Sequence, residues 1–327
     1  MRSLQRIVGR RVLNAVITLF LVLVINFLMF RVMPGNPVRI LIPNDPNIPP
    51  EFIEEQIKKF GLDQPLYIQF FTYLWNTANL DFGDSFKYDM PVMDYLGQKL
   101  IWTLILVGTS SFFMIVIGMA VGMVAAWRRG GAFDTGSLGF SLFFYAMPTF
   151  WLGLVLIVVF SLQLGWFPES GHLSPGHRLT PFDFDKLLEL LDHLFLPALS
   201  LTIGSIAAFS LIMRGSLIDV LTEEYITTAR AKGLTEGQML RLHAVPNAML
   251  PMVTLIAMDL AFIVGGAFQT EYVFNYPGIG YATVAATFDR DYPMLQGAFL
   301  IVAVAVILAN LLADILLMYL DPRVKLA

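Results

Sequence analysis

Long uninterrupted apolar runs dominate the pattern of the chain. A membrane-spanning helix needs about 20 mostly apolar residues, and six runs come close to or exceed that length. The roughly ten-residue alternating segments typical of a membrane β-barrel do not occur. The pattern therefore predicts an all-α integral membrane protein with six transmembrane helices. These helices are predicted at residues 12–30, 100–127, 138–164, 194–213, 247–270 and 294–320.

The polar segments between the runs differ in their content of Lys and Arg. Basic residues are more than twice as dense in one alternating set of segments as in the other. Since basic residues collect on the cytoplasmic side, we expect the denser set, which contains both termini, to be cytoplasmic. The denser set comprises 1–11, 128–137, 214–245 and 321–327, and the sparser set 31–99, 165–193 and 271–293. The first apolar run, 12–30, is longer than the roughly 7–15 residues of a signal-peptide core. It is therefore predicted to stay in the protein as a membrane-spanning helix.

The segment between the first two runs is long enough to form a helical insertion outside the membrane. Start and stop signals predict one helix over residues 51–61, and the apolar face of "PLYIQFFTYLWNTANL" predicts a second. The chain is thus expected to have three parts. These are a tail with the first helix (1–31), an extracytoplasmic helical insertion (32–99) and a five-helix core (100–327).

The polar segment 214–245 interrupts the core with "ITTARAKGLTEGQMLRLHAV". A first helix is predicted over residues 223–232, ending at Gly233, because glycine readily adopts the left-handed conformation that closes a helix. Thr235 and Gln238 have the spacing of a capping box and predict the start of a second helix, which Pro246 should disturb. The residues alone fit a solvated connector and a docking element equally well.

Composition excludes several classes of protein. Hydrophobic residues make up 57% of the chain and charged residues 14%, against roughly 25% charged in soluble proteins. The absence of cysteine excludes disulfides, thiol catalysis and cysteine metal sites. The four histidines lack zinc-site spacing, and no basic region interleaved with aromatic residues suggests a nucleic-acid partner.

The chain also lacks the phosphate-binding loop of an ATPase. That loop reads GxxxxGK[ST], and no glycine here is followed by lysine. We therefore expect no enzyme activity and no cofactor in this chain, and any ATP used must be hydrolysed by another polypeptide.

The connector resembles the "EAA" loop of ABC importer permeases, EAA-x3-G-x9-I-x-L-P. The glycine falls on Gly233 and the final Leu-Pro on Val245–Pro246, with the same spacing. Thr227–Thr228 replace the Glu and first Ala, His243 replaces Ile, and Val245 replaces Leu. These departures fit one branch of the family, the B-type dipeptide/oligopeptide permeases, in which "YxxTARAKGL" is usual.

Further stretches resemble the same branch, in family order, over nearly the whole chain. They are "FGLDQPLYIQFFTYL", "LDFGDSF", "MPTFWLGLVLIVVFSLQLGWFP", "GGAFQTEYVFNYPGIG", "RDYPMLQG" and "LLADILLMYLDPRVKL". The resemblance implies a multi-pass permease subunit in the plasma (inner) membrane of a prokaryote, forming half of a pathway for di- and oligopeptides. It also implies three kinds of partner: a second, usually non-identical C-type permease subunit, two cytoplasmic ATPases that bind ATP and Mg²⁺, and an extracytoplasmic substrate-binding protein.

In that family the connector docks on the ATPase. The small side chains of Ala229 and Ala231 are expected to leave room for the ATPase surface, and Gly233 to form the corner. The full set expected to contact or position the ATPase is Tyr225, Thr228, Ala229, Arg230, Ala231, Lys232, Gly233, Leu234, Glu236 and Arg241.

Asp259 lies inside the fifth predicted span. A carboxylate at the middle of a bilayer costs about 2.5–3.5 kcal/mol, so it normally faces a cavity or a partner. We expect Asp259, with Phe262, to line the translocation pathway, and a hydrogen bond between helices is the alternative. Asp314, near the end of the sixth span, is expected to have a structural role.

Other functions fit the sequence less well. The same machine could import oligosaccharides, because the binding protein largely selects the cargo in this branch. A stand-alone secondary transporter should show an inverted repeat and several intramembrane ionisable groups. A membrane-embedded enzyme should show clustered His, Asp and Glu in the spans. Neither pattern is present in the sequence.

Overall fold

The computed structural model describes residues 2–31, 63–174, 176–177, 183–262 and 267–320, and these residues are mostly helical. The isolated bridge between Asp84 and Pro91 is the only extended pairing among them. The helices are α1 (Arg2–Arg31), α2 (Leu66–Ala78), α3 (Val92–Trp127), α4 (Ala132–Tyr145), α5 (Thr149–Leu156), α6 (Phe184–Leu221), α7 (Glu224–Ala231), α8 (Glu236–Met239), α9 (Val245–Phe262), α10 (Phe268–Val273), α11 (Ile279–Asp289) and α12 (Tyr292–Leu320).

The prediction of an all-α membrane protein is confirmed for the described part of the chain. Five helical segments there are long and apolar enough to cross a membrane, and there are six if the bent pair α4–α5 is counted as one span. Helix α2 confirms the second helix of the insertion, whereas the helix predicted over 51–61 lies outside the described residues. The sidedness of the membrane and the three-part division remain predictions.

The third predicted span, 138–164, is not one straight helix. Helices α4 and α5 meet at an angle of 100°, with Pro148 directly before α5 in an extended conformation. A proline disfavours helical geometry in the residue before it, so the chain breaks there. Beyond Leu156 the helix continues as a π-helical segment, Ile157–Gln163.

The fifth predicted span also differs in detail from residues 247–270. Helix α9 ends at Phe262, and α10 is a separate short helix. Helix α11 occupies much of a segment expected to be an outer loop. Gly265 and Gly266, at the end of the predicted span, lie outside the described residues. Pro251 lies within α9.

Helices α3 and α6 form the central pair of the fold. Two glycines one turn apart on α3 allow the close approach. A Cβ atom at Gly118 would lie 2.7 Å from Cβ of Phe209, and one at Gly122 would lie 2.9 Å from Cβ of Met213. Small residues at this spacing let helix backbones approach closely in membrane proteins. The resulting contact supports the cavity and the connector described below.

Two ion pairs join helices that are distant in sequence, and the second attaches α4 to the central pair. Arg11 of α1 pairs with Asp314 of α12 at 2.8 Å, which agrees with the structural role expected for Asp314. At the start of α4, Asp134 accepts bonds of 2.6 and 2.8 Å from the guanidinium of Arg214 on α6. Asp134 also accepts from the backbone N–H of Gly130. The α3–α4 turn is therefore fastened to α6.

Candidate functional site: the connector and a polar cavity

The connector, residues 222–244, joins α6 to α9. Its first helix, α7, ends where Gly233 adopts φ +83°, so the predicted glycine corner is confirmed. A side chain at this position would be strained by the backbone conformation, although no atom lies within 4 Å of its would-be Cβ. The glycine is therefore required by the turn and not by crowding.

The second helix, α8, begins with the predicted capping box. The backbone N–H of Gln238 donates to Oγ1 of Thr235, and the N–H of Thr235 donates to Oε1 of Gln238. The chain then widens into a π-helical turn, Leu240–Ala244, and continues directly into α9. Pro246 therefore does not end the helix. A proline inside an α-helix removes one hydrogen bond and collides with the carbonyl four residues earlier. Here the residue four positions before Pro246 lies within the wider π-helical turn.

One face of the connector is buried in the body of the protein. Ile226 and Met239 are each 1% exposed and pack in a cluster with Met213 and Leu217 of α6. Burying a large aliphatic side chain contributes about 1.5–3 kcal/mol. Both short helices are thus held by their apolar sides, although each is too short to be stable alone.

The opposite face is exposed and carries most of the residues expected from the sequence. Ala229 differs, since it is 7% exposed and its small side chain lets α7 approach the protein's own core instead of a partner. Leu234 is partly buried. The exposed members are Tyr225, Thr228, Arg230, Ala231, Lys232, Gly233, Glu236 and Arg241.

Sequence reasoning missed Leu242, which is 60% exposed within the π-helical turn. An α-helical pattern would not identify this position, because the wider turn changes which side chains point outward. Tyr225 is 41% exposed on the same connector, and partial burial, followed by the charge of Glu223, raises the pKa of its phenol. The connector therefore presents a mixed polar and apolar exposed surface suited to binding another protein.

A second candidate site is a cavity of about 480 Å³. Asp259 of α9 lies at its wall, opposite hydroxyl groups from α3, α5 and α6. The described lining residues are Val107, Ser110, Ser111, Met114, Thr149, Leu201, Ser205, Asp259, Ala267, Phe268, Gln269 and Thr270. The side chain of Phe262, the other residue expected on the pathway, lies outside the described part.

Sequence reasoning also missed the buried carboxylate of Glu271, on α10 beside the cavity wall. Its Oε1 accepts from Oγ1 of Thr103 at 2.8 Å, and its Oε2 accepts from the backbone N–H of Tyr281 at 3.1 Å. Thr103 Oγ1 in turn accepts from the N–H of Ile279 at 2.8 Å. Burial raises the pKa of Glu271, and these hydrogen bonds oppose the rise. This hydrogen-bonded group around Glu271, the Glu271 node, fixes the N-terminus of α11 against α3 and α10.

The histidines have packing and hydrogen-bonding roles where the structure describes them. The ring of His172 packs on Trp102 with centroids 4.3 Å apart, and His177 lies 2.8 Å from Glu189. Across the described ranges, no group of three or more His, Asp or Glu side chains could hold a metal ion.

Comparison with known proteins gives matches along nearly the whole chain. Residues 118–326 match the family of binding-protein-dependent transport system inner membrane components, and residues 4–107 match the N-terminal region of such components. The di/tripeptide transport system permease protein DppB of Pseudomonas aeruginosa is 34% identical over 97% of this chain and 98% of its own length. The oligopeptide permease protein AppB of Bacillus subtilis is 35% identical over the same shares.

The glutathione transport system permease protein GsiC of Escherichia coli is 36% identical over 97% of each chain. Among solved structures, the inward-facing MetNI methionine ABC transporter contains a similar chain, with a TM-score of 0.54 and 19% identity. The match covers 70% of this chain and 97% of the other. At this identity the likeness concerns the fold.

Proposed function

The chain belongs to the family of binding-protein-dependent transport system inner membrane components, and we propose that it forms half of the translocation pathway of an ATP-driven importer of di- and oligopeptides. The connector carries this proposal. It offers an exposed surface on two short helices that are anchored to the transmembrane core through Ile226 and Met239. A partner that moves this surface would move α6 and α9 with it.

Peptide cargo is supported by the relatives. Three permeases at 34–36% identity over nearly their whole length are named for di/tripeptide, oligopeptide and glutathione transport. Glutathione is itself a modified tripeptide, so the three names share one chemical class. Import of oligosaccharides is the alternative and is an outcome of the experiment below.

The energy for transport comes from partner subunits in this proposal. The sequence contains no phosphate-binding loop, so ATP and Mg²⁺ are bound by two ATPases that dock on the connector. Docking requires the connector to be cytoplasmic, in agreement with the density of basic residues in segment 214–245. Both termini are then cytoplasmic as well.

Two further partners complete the assembly. A second, C-type permease subunit supplies the other half of the pathway, as the resemblance to the B-type permeases implies. A substrate-binding protein delivers the cargo on the extracytoplasmic side, as the family description implies.

The decisive experiment is purification of the tagged chain from its native membrane, followed by reconstitution into liposomes. We expect the second permease and both ATPases to co-purify, and ATP-dependent uptake of dipeptides when the binding protein is added. Uptake of oligosaccharides but not peptides would support the alternative cargo. Uptake driven by an ion gradient without ATPase subunits would instead identify a secondary transporter and overturn the proposal.

A further inference from the structure

The charge distribution of the cavity is one-sided. Asp259 is the only ionisable side chain among the described lining residues, and no Lys or Arg lies among them. Oδ2 of Asp259 is buried and has no hydrogen-bond partner among the described atoms, while the hydroxyl of Ser111 interacts with the carboxyl group. A carboxylate that lacks a cation in such a setting is costly, so a positively charged ligand would be bound favourably.

The rest of the lining is neutral and can donate and accept hydrogen bonds. Hydroxyl groups come from Thr149 and Ser205, and a side-chain amide comes from Gln269. The hydroxyl of Ser110 also lines the cavity, and because it donates to the carbonyl of Leu106 it only accepts from a ligand. These groups suit the peptide backbone of a ligand, since an amide presents one donor and one acceptor. Met114 and Phe268 supply apolar surface, and Met adapts to side chains of different shape.

The volume agrees with a small ligand. Ligand cavities in proteins range over roughly 300–1,000 Å³, and this one measures about 480 Å³. In such a cavity, the single acidic group selects ligands that carry a positive charge. The neutral polar groups and adaptable apolar groups around it tolerate variation in the rest of the ligand. The acidic group also repels ligands that present only a negative end.

We propose that Asp259 is a specificity-determining residue that binds the protonated amine of the cargo as it passes through the cavity. This assignment rests on the proposed function and adds the chemical group that the pathway recognises. The amine takes the place of the missing cation beside Oδ2, and the hydroxyls on α3, α5 and α6 bind the first peptide groups behind it.

The charge of the cavity is measured first, without any cargo. Because the chain contains no cysteine, Ser205→Cys places one thiol in the lining, and Ser111→Cys provides a second reporter. In the intact complex, a cationic methanethiosulfonate reagent should modify the Ser205→Cys thiol faster than an anionic reagent of matched size. Adding Asp259→Asn should lower the ratio of the two rates by about fivefold or more. An unchanged ratio, or no reaction at either reporter, would overturn the proposal.

Transport is measured second, with the binding protein held at saturation. We expect Asp259→Asn to reduce uptake of a free-amine dipeptide by about tenfold or more relative to its N-acetylated form, and Asp259→Glu to retain most of the preference. Asp314→Asn is the matched control, since it removes a carboxylate of α12 that pairs with Arg11 outside the cavity. Equal loss for both cargoes, or no loss, would contradict an amine site.

A third measurement keeps Asp259 intact, in case Asp259→Asn does not assemble. Modification of the Ser205→Cys thiol with an aminoethyl group should inhibit uptake of free-amine dipeptides more than modification with a neutral group of the same size. The tethered amine binds the Asp259 carboxylate and so competes with the amine of the cargo. Equal inhibition by both groups would count against the site. Failure of the proposed function is distinguished by the first measurement, since a wild-type complex that imports no peptide still reports the charge of the cavity through the thiol reaction rates.

Discussion

Glu271 shows how a single buried acid can fix the position of several helices. Its side chain is 0% exposed, and it accepts hydrogen bonds from a side chain of α3 and from the backbone at the start of α11. Anions are favoured at a helix N-terminus, where N–H groups lack helical partners. A Cβ atom at Gly278 or Gly280 would collide with this carboxylate, so the glycines of "PGIG" leave the space that it occupies.

Truncation of this acid should therefore destabilise the protein strongly. Glu271→Ala leaves the donors on Thr103 and Tyr281 buried and unsatisfied and opens a cavity, and each effect costs about 1–3 kcal/mol. We expect Glu271→Gln to cost less, since its amide still accepts a bond from one of these donors. The measurement is the apparent Tm of the purified complex in detergent.

Asp289 provides the control for this prediction. It is a carboxylate at the C-terminal end of α11, the helix whose N-terminus Glu271 contacts from α10, and its ion pair with Lys87 is largely exposed. Exposed ion pairs contribute about 0–1 kcal/mol, so Asp289→Ala should change the Tm little. Equal Tm values for Glu271→Ala and Asp289→Ala would show that the buried node is not needed for stability.

At the scale of elements, the connector combines a fixed corner with an exposed surface. Gly233→Val forces a β-branched residue into a left-handed conformation and should reorient α8 relative to α7. Ala231→Trp adds a large side chain on the exposed face. We expect both variants to insert and pair with the second permease normally, yet to lose most ATPase co-purification and peptide-stimulated ATP hydrolysis.

Two variants of the same connector act as controls. Gly237 lies in α8 without positive φ and has no atom within 4 Å of its would-be Cβ, so Gly237→Ala should retain docking. Glu236→Gln removes an exposed charge and should have a small effect. Normal ATPase retention and normal coupled transport in both Gly233→Val and Ala231→Trp would identify the connector as a passive link.

Much of the connector could be predicted from local sequence, because its signals act over a few residues. Gly233 and the Thr235–Gln238 capping box are of this kind. The burial of Ala229, the exposure of Leu242 and the passage of the helix through Pro246 depend on packing against α6 and on the π-helical turn. A local pattern contains no information on these contacts.

At the scale of the whole molecule, apolar runs predicted where long apolar helices occur but not their shape. The break between α4 and α5 and the end of α9 at Phe262 lie within runs that are apolar throughout. The cavity could not be predicted either, except for Asp259, because its lining comes from five helices spread over residues 107–270. Glu271 appeared in a segment expected to be a loop, where an acid is ordinary.

The orientation of the entire molecule gives the last prediction. The density of basic residues predicts that segment 165–193 is outside and the connector inside. Glu169 and Glu236 are exposed, one in each segment, and the chain has no native cysteine to react. In right-side-out vesicles, a membrane-impermeant maleimide should label Glu169→Cys and leave Glu236→Cys unlabelled, and inverted vesicles should reverse the result. Labelling of both from one side would contradict the single crossing predicted between them. The proposal of a cytoplasmic connector that faces the ATPases would then have to be abandoned.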